Sequence, residues 1–308
     1  LRAVDHLGNE VTKLVEARDR TYPNFYKRSS AGVAERHTLT LDFGKAAAKN
    51  NAILVLNGWV DWADGSTFLA AAQEGTPLVA PSLQVKNKKG EWVTVIEDMG
   101  MPSGKPKTIV VDLTGKFLSA SRELRIVTNL CVYWDEIFLS EGNQRPEHRL
   151  TTVPARVASL QFRGFSPSVI HSERKQPEEF SYPNPEPTSL WNPTPGNYTR
   201  YGEVTDLVGA MDDQLAVMGS GDELRLEFET ASLPPLPAGW RRDYLLHVDG
   251  WAKDRDANTA YSQNVAPLPF HKMSGYPYKL DTERSPGEQA QKQYNTRPAL
   301  QLLRPLNR

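Results

Sequence analysis

The sequence has one cysteine, no long apolar run and no excess of charge of either sign. A single thiol, Cys131, excludes an internal disulfide and any metal motif built on two cysteines. No apolar run approaches the roughly 20 residues that a membrane-spanning helix needs. The formal net charge is −1, so the chain lacks the basic surface used for nonspecific binding to nucleic acid. We therefore expect no nucleic-acid partner and no transmembrane segment.

Cys131 lies in the apolar stretch "RIVTNLCVYWDEIFL" and has no basic neighbour in sequence that would lower the pKa of its thiol. This context predicts a small buried apolar side chain. The chain begins at Leu1, with neither a methionine nor a signal peptide. Such a start is typical of a processed protein or a piece of a longer one.

Short apolar stretches follow one another from residue 37 to 140. They are rich in β-branched and aromatic residues and are separated by turn-forming sequences such as "KNKKGE" and "PSGKP". About seven strands at this spacing favour an antiparallel sandwich or jelly roll. Strands do not alternate with crossover helices, which argues against a Rossmann-type sheet. Between residues 172 and 198 the sequence is crowded with proline, which predicts an extended surface segment.

An internal repeat is the most informative feature. The stripe Val11, Leu14, Val15 matches Val204, Leu207, Val208, and each stripe has the spacing of one helix face. Next, "LTLDF" from Leu39 matches "LRLEF" from Leu224. Then "AILVLNGW", which ends at Trp59, matches "YLLHVDGW", which ends at Trp251. A fourth match aligns "FLAAAQEGTPL" with "TAYSQNVAPL", and four matched segments in the same order indicate a duplicated unit.

The predicted fold class is therefore all-β with minor helix: two β-sandwich units of the jelly-roll or galactose-binding-like kind, related by internal duplication. The first unit covers residues 1–145 and includes an N-terminal helix. A connector with one strand and the proline-rich segment covers residues 146–200. The second, shorter copy covers residues 201–308 and ends in an irregular tail.

Several of these motifs also carry a resemblance. The sequences "LNGWVDWADGSTFLAAAQ", "GMPSGKPKTIVVDLTG", "LPAGWRRDYLLHVDGWAKDRDANTAYS" and "YNTRPAL" resemble the C-terminal region of large bacterial FG-GAP and ASPIC/UnbV-type repeat proteins, which are relatives of cartilage acidic protein. The similarity spans about residues 5 to 300. It implies a periplasmic or extracellular module of a longer protein, facing an assembly or a ligand. The calcium-binding FG-GAP propeller is absent from these residues, so its ligands are not carried over.

The acidic turns after the two Gly-Trp pairs are the candidate sites. Asp254, Asp256 and Asn258 have the opening spacing of a calcium loop, but Thr259 stands where the turn glycine belongs and no glutamate closes the loop. In the first copy, Asp61 and Asp64 have a different spacing. A solvated acidic turn, in which these side chains cap their own backbone, is the favoured interpretation. No cofactor is predicted, although hard oxygen ligands in a loop make calcium chemically reasonable.

Trp59, Trp62 and Trp251 stand beside carboxylates, as in a sugar-binding platform, although Trp59 and Trp251 end apolar strands and have the pattern of core residues. The predicted function is a non-catalytic binding or assembly module of a larger extracytoplasmic protein or complex. It would contact a protein assembly or a glycan through the Gly-Trp turns and the proline-rich segment. The alternative is a carbohydrate-active hydrolase that uses the carboxylates of these turns, such as Asp61 and Asp254.

Overall fold

The computed structural model describes residues 1–27, 32–44, 52–61, 64–141, 147–189 and 192–299. This part of the chain is mainly β, with several antiparallel sheets and two α-helices, α1 (Gly65–Gln73) and α2 (Glu288–Tyr294). The strands are β1 (Arg2–Val4), β2 (Val33–Asp42), β3 (Ala52–Val60), β4 (Ser82–Lys86), β5 (Trp92–Ile96), β6 (Lys107–Asp112), β7 (Glu123–Leu130), β8 (Val132–Glu141), β9 (Ala155–Phe162), β10 (Ser168–Val169), β11 (Glu179–Phe180), β12 (Asn197–Tyr198), β13 (Gly202–Glu203), β14 (Asp222–Phe228) and β15 (Arg297–Pro298). Within the described ranges, no helix is both long and apolar enough to cross a bilayer.

The chain divides into two compact units. Unit 1 consists of residues 1–148 and 168–179, and unit 2 consists of residues 149–167 and 180–308. The stretch that the sequence predicts as a connector therefore contributes to both units. Its strand β9 belongs to unit 2, whereas the polar segment 168–179, here called the strap, belongs to unit 1.

Unit 1 contains a five-stranded sheet in the order β1-β2-β7-β4-β5 and a three-stranded sheet in the order β6-β3-β8. The seven apolar stretches predicted as strands between residues 37 and 140 all form strands. Inward-facing residues of the two sheets belong to one buried cluster, with Leu41 and Ile126 from the larger sheet and Leu54, Leu56 and Ile137 from the smaller. Leu54 and Leu56 alternate with more exposed positions because successive strand residues point to opposite faces.

Helix α1 interrupts this series of strands and was not predicted. The carboxylate of Asp64 accepts a hydrogen bond of 2.8 Å from the backbone N–H of Thr67, which is the geometry of an N-cap. The run of alanines that follows favours helix. Asp64 is thus a helix cap.

The helix predicted from Val11, Leu14 and Val15 is a three-residue 3-10 helix, Thr12–Leu14. Its first residues are bonded to strand β1. The N–H of Val11 donates to the carbonyl of Ala3 (2.9 Å), and the N–H of Ala3 donates to the hydroxyl of Thr12 (2.9 Å). Ala3 in turn lies opposite Leu41 of β2.

Unit 2 contains the same arrangement. The N–H of Val204 donates to the carbonyl of Ala158 (2.8 Å), and the N–H of Ala158 donates to the hydroxyl of Thr205 (2.8 Å), at the start of the 3-10 helix Thr205–Leu207. Ala158 lies opposite Leu226 of β14, which is the residue that matches Leu41 in the sequence repeat. The hydrogen bonds and the strand register of the two units therefore agree at this place.

The agreement ends after β14. The sequence predicts that Tyr244–Trp251 forms a strand equivalent to β3, and this prediction is wrong, because residues 240–256 contain no strand. The described sheets of unit 2 are β13-β9-β14 and the pair β12-β15. In unit 1 the strands β6 and β8 flank β3, whereas the described residues between β14 and β15 include no strand that could flank Tyr244–Trp251.

Both units share the hydrogen bond from a strand N–H to the threonine hydroxyl at the start of a 3-10 helix. Replacing that hydroxyl with a methyl group tests its contribution. We expect Thr12→Val and Thr205→Val each to lower the free energy of unfolding by about 1–3 kcal/mol, because a strand N–H loses its acceptor. Urea denaturation measures the change. Thr21→Val, which alters an exposed threonine bonded to Asp19, is the control and should have little effect. A loss in one unit without a comparable loss in the other would contradict the equivalence.

Candidate functional site

Trp59 is a core residue. It lies near the end of β3, is 4% exposed, and stacks on Tyr133 of β8 with ring centroids 4.5 Å apart and an interplanar angle of 6°. Tyr22 packs against both rings edge-on. Burial raises the pKa of Tyr22 to about 12 and raises that of Tyr133 further. Because Trp59 is almost completely buried and Tyr133 covers one face of its ring, it cannot stack on a sugar in this conformation.

Asp61 is also buried, at 3% exposed, and its charge is compensated by two cations. The ammonium of Lys27 lies 3.2 Å from one carboxylate oxygen, and the guanidinium of Arg174 lies 2.6 Å from the other. The backbone N–H of Asp61 donates to the carbonyl of Cys131 (2.9 Å). A carboxylate held in this way is a structural ion pair, with both oxygens already engaged.

Arg174 belongs to the strap, so this ion pair fastens the strap to unit 1. The carbonyl of Arg174 also accepts hydrogen bonds from Lys27 (2.7 Å) and from the hydroxyl of Tyr133 (3.1 Å). The strap is further bonded through Gln176, whose amide donates to the carbonyl of Arg20 (3.1 Å). The strap therefore lies over the end of β3 and is held there mainly by polar contacts.

Two predictions of the sequence can be placed beside this cluster. Cys131 is buried, as predicted, and burial raises the pKa of its thiol to about 12, so it is almost entirely protonated at neutral pH. Trp62, the third candidate tryptophan, lies outside the described residues.

The second Gly-Trp pair lies in a different environment. Trp251 is 54% exposed and contacts Tyr276, with ring centroids 5.1 Å apart. The ammonium of Lys253 lies 5.4 Å from the centroid of the Tyr276 ring and donates to three backbone carbonyls, those of Tyr261, Asn264 and Pro267. Desolvation lowers the pKa of Lys253. Trp251 thus presents an accessible ring, and the expectation that it is a core residue is wrong.

The acidic turn after Trp251 caps its own backbone. The carboxylate of Asp254 accepts hydrogen bonds from the hydroxyls of Ser262 and Thr259 and from the N–H of Asp256 (3.0 Å). Asp256 accepts from the N–H of Asn258 (2.7 Å). Partial burial acts to raise the pKa of Asp254, but these hydrogen bonds outweigh it and the pKa is lowered. This is the arrangement predicted for a solvated acidic turn.

Both carboxylate oxygens of Asp254 and one of Asp256 therefore accept hydrogen bonds from within the turn. In the part of the chain that the structure describes, no group of three histidine, cysteine, aspartate or glutamate side chains is placed to hold a metal ion.

The segment before Trp251 is the most exposed apolar part of unit 2. Leu245 is 89% exposed, and Tyr244, Leu246 and Val248 each expose more than half of their surface. No backbone–backbone hydrogen bond to residues 243–251 is found within the described ranges. We call Asp243–Trp251 the open segment. Monomeric soluble proteins rarely expose so many large apolar side chains in one row.

His271 holds one end of the open segment, a contact that sequence reasoning did not find. Its Nδ1 lies 2.8 Å from Asp213 and its Nε2 lies 3.2 Å from Asp249. The hydrogen bond and the charge of Asp213, with a smaller contribution from Asp249, raise the pKa of His271. No sequence signal links these residues, because Asp213 and His271 are 58 positions apart.

Comparison with known proteins adds no identification. No family model, no curated protein and no solved structure matches the chain.

The buried ion pair is tested by a double-mutant cycle. We expect Arg174→Ala to lower the free energy of unfolding by about 2 kcal/mol, because the carboxylate of Asp61 keeps one cation in place of two. In an Asp61→Asn background the same substitution should cost far less, since no buried charge remains to be compensated. Urea denaturation of the four proteins gives the coupling. Equal costs in both backgrounds would contradict the interaction.

The contact of His271 predicts a pH dependence. Because the folded pKa is raised above the ordinary 6.5, the stabilisation is fully present below pH 6.5 and is lost as the pH rises through the folded value. NMR titration of the imidazole measures that pKa directly. Asp213→Asn should lower it strongly and Asp249→Asn more weakly, in the order of their contributions. An unchanged pKa in both variants would show that the contacts do not form in solution.

Proposed function

We propose that the chain is a non-catalytic binding or assembly module whose contact surface is the open segment of unit 2. The observation that carries this proposal is the exposure of Tyr244, Leu245, Leu246, Val248 and Trp251 in one continuous stretch. Soluble proteins rarely expose so many large apolar side chains together unless the surface is used. An apolar row with few charges suits a protein surface.

The architecture proposed for this role is two sandwich-like units derived from one ancestral unit. The shared core of the two sheets of unit 1 supports the sandwich. The matched hydrogen bonds of Ala3 with Thr12 and of Ala158 with Thr205 support the duplication. A location outside the cytoplasm, and membership of a larger FG-GAP-associated protein, remain predictions from the resemblance.

A glycan is the second candidate ligand, and the observation that favours it is the accessible ring of Trp251 beside Tyr276. The neighbouring carboxylates contribute little, because Asp254 and Asp256 accept hydrogen bonds from their own turn. The hydrolase alternative has less support. It would use Asp61, which is enclosed by two cations, and Asp254, whose oxygens are engaged by Ser262 and Thr259.

Site-specific photocrosslinking tests the proposed surface. A benzophenone side chain placed at Leu245 should form protein adducts in the cells that make the chain, because this position lies in the contact. The same side chain at Leu150, which is 82% exposed but lies outside the open segment, is the matched control. Adducts at neither position, or equally at both, would contradict a protein contact at the open segment.

Two substitutions distinguish a glycan ligand from a protein partner. Leu245→Asp should abolish the protein contact, because it places a charge in an apolar interface. It should leave glycan binding intact, whereas Trp251→Ala should abolish glycan binding, as measured by calorimetry against a sugar panel.

A further inference from the structure

Two histidines of unit 1 lie against each other beside a small cavity. The ring centroids of His6 and His37 are 6.0 Å apart, with an interplanar angle of 61°. His6 follows strand β1 in the N-terminal segment, residues 1–9, and His37 belongs to β2. Both line a cavity of about 20 Å³ that Thr128 of β7 and Trp134 of β8 also line. We call His6 and His37 the histidine pair.

The surroundings of the pair favour neutral rings. The Nε2 of His6 is buried and has no hydrogen-bond partner in the part of the chain that the structure describes. His37 stacks on Phe25 with ring centroids 4.8 Å apart, and its Nδ1 lies 2.8 Å from the carbonyl of Glu35. A neutral imidazole with its proton on Nδ1 donates to that carbonyl. A second proton on His37 would place a charge in a largely desolvated position.

Asp5 is the charged group that acts on His6. Its carboxylate also accepts hydrogen bonds from the N–H groups of Leu7 (2.9 Å) and Asn9 (2.8 Å), which hold it in its own turn. The ring of Tyr26, another titratable side chain, meets His6 edge-on with ring centroids 5.7 Å apart. A proton on His6 therefore has a carboxylate near it.

A proton on His37 has no such carboxylate within the described residues. Burial lowers the pKa of His37, the charge of His6 lowers it further, and the hydrogen bond to the carbonyl of Glu35 acts in the opposite direction. The side chains of Glu35 and Arg36, which precede His37 in β2, are exposed. Apart from Asp5 and the pair itself, the residues that line the cavity have no titratable side chain. The step from one proton to two on the pair is therefore the unfavourable one.

The N-terminal segment is attached at one edge of the five-stranded sheet. Its strand β1 is three residues long and pairs with β2, from Arg2 opposite Asp42 to Val4 opposite Thr40. His6 then packs the end of the segment against β2. A short edge strand with few backbone hydrogen bonds opens locally more easily than the centre of a sheet. Its departure would leave the edge of β2 without a strand partner.

We propose that the histidine pair is an acid-operated switch, which releases the N-terminal segment from β2 when both imidazoles carry a proton. Two like charges at this separation repel each other, and departure of the segment separates them and returns both rings to water. The freed edge of β2 is then a template on which another extended chain can pair. The switch lies in unit 1 and does not depend on the open segment of unit 2.

The direction of the pH dependence follows from linkage. Because the folded pKa of His37 lies below 6.5, the attachment is at full strength above pH 6.5 and weakens as the pH falls from 6.5 towards the folded value. The contact of His271 in unit 2 has the opposite sign, since its stabilisation is lost as the pH rises. One titration therefore distinguishes the two effects.

Hydrogen exchange at single amides tests the switch in the intact chain. The N–H of Ala3, bonded to the hydroxyl of Thr12, and the N–H of Val11, bonded to the carbonyl of Ala3, report on the attachment of the segment. Their protection, corrected for the intrinsic exchange rate, should fall at least about tenfold between about pH 7.5 and about pH 5, because each unit of pKa difference changes the opening equilibrium tenfold. The amides of β3, which has strand neighbours on both edges, should keep their protection.

His37→Phe is the decisive variant, because phenylalanine keeps the stack on Phe25 and takes up no proton. It should retain the protection of Ala3 at about pH 5, where an ordinary histidine is charged. His148→Phe, at an exposed position outside the cavity, should behave like the unaltered chain. Circular dichroism and urea midpoints at neutral pH would show that both variants fold.

NMR titration of the imidazoles is a second test and begins with the unaltered chain. His37 should titrate below 6.5, and His6→Phe should raise its pKa, because the substitution removes the neighbouring charge. A pKa of His37 at or above 6.5, or a loss of protection in acid that His37→Phe does not prevent, overturns the switch. Unchanged protection of Ala3 in acid also overturns it. So does a loss that extends to β3, since that result would mean unfolding of the whole unit.

Discussion

Strand β3 can bury Leu54 and Leu56 because β6 and β8 pair with its two edges. Burial of an apolar strand is favourable only when its backbone N–H and C=O groups also find partners, since an unpaired buried amide costs as much as the burial gains. The flanking strands β6 and β8 pair with the backbone of β3 and so allow its apolar side chains to be buried. Its last residues then place Trp59 on Tyr133 and carry Asp61 to the cations of Lys27 and Arg174. The buried end of unit 1 thus depends on strand pairing.

The same constraint explains the open segment. Its apolar residues match those of β3, but the chain of unit 2 provides no flanking strands in the described residues that follow. Without flanking strands the backbone of the open segment remains solvated. Burying its side chains would leave its backbone N–H and C=O groups without hydrogen-bond partners. Trp251 is consequently exposed where Trp59 is covered. A shared sequence motif therefore has two different surroundings, and the difference lies in the neighbours that the rest of each unit supplies.

Sequence periodicity predicted the strands of unit 1 because alternation reports which face of a strand is apolar. It gave the wrong result for Tyr244–Trp251, because periodicity carries no information about whether a neighbouring strand exists. Helix α1 was predictable from Asp64 and the alanines after it, because an N-cap residue followed by strong helix formers is the sequence pattern of a helix start. The ion pair of Asp61 was beyond sequence reasoning, since Arg174 lies 113 positions away.

The duplication also gains a physical argument that the sequence match lacked. Ala3 and Ala158 are not part of the aligned segments, yet both donate to the threonine of a 3-10 helix and both face the equivalent leucine of the next strand. If unit 2 derives from a complete copy, the loss of its later strands created the free edges of the open segment. Free edges are usually protected by lysine or proline. Residues 243–251 contain neither, and their carboxylates, Asp243 and Asp249, lie near the two ends, so the apolar row between them has no acidic or basic residue other than His247.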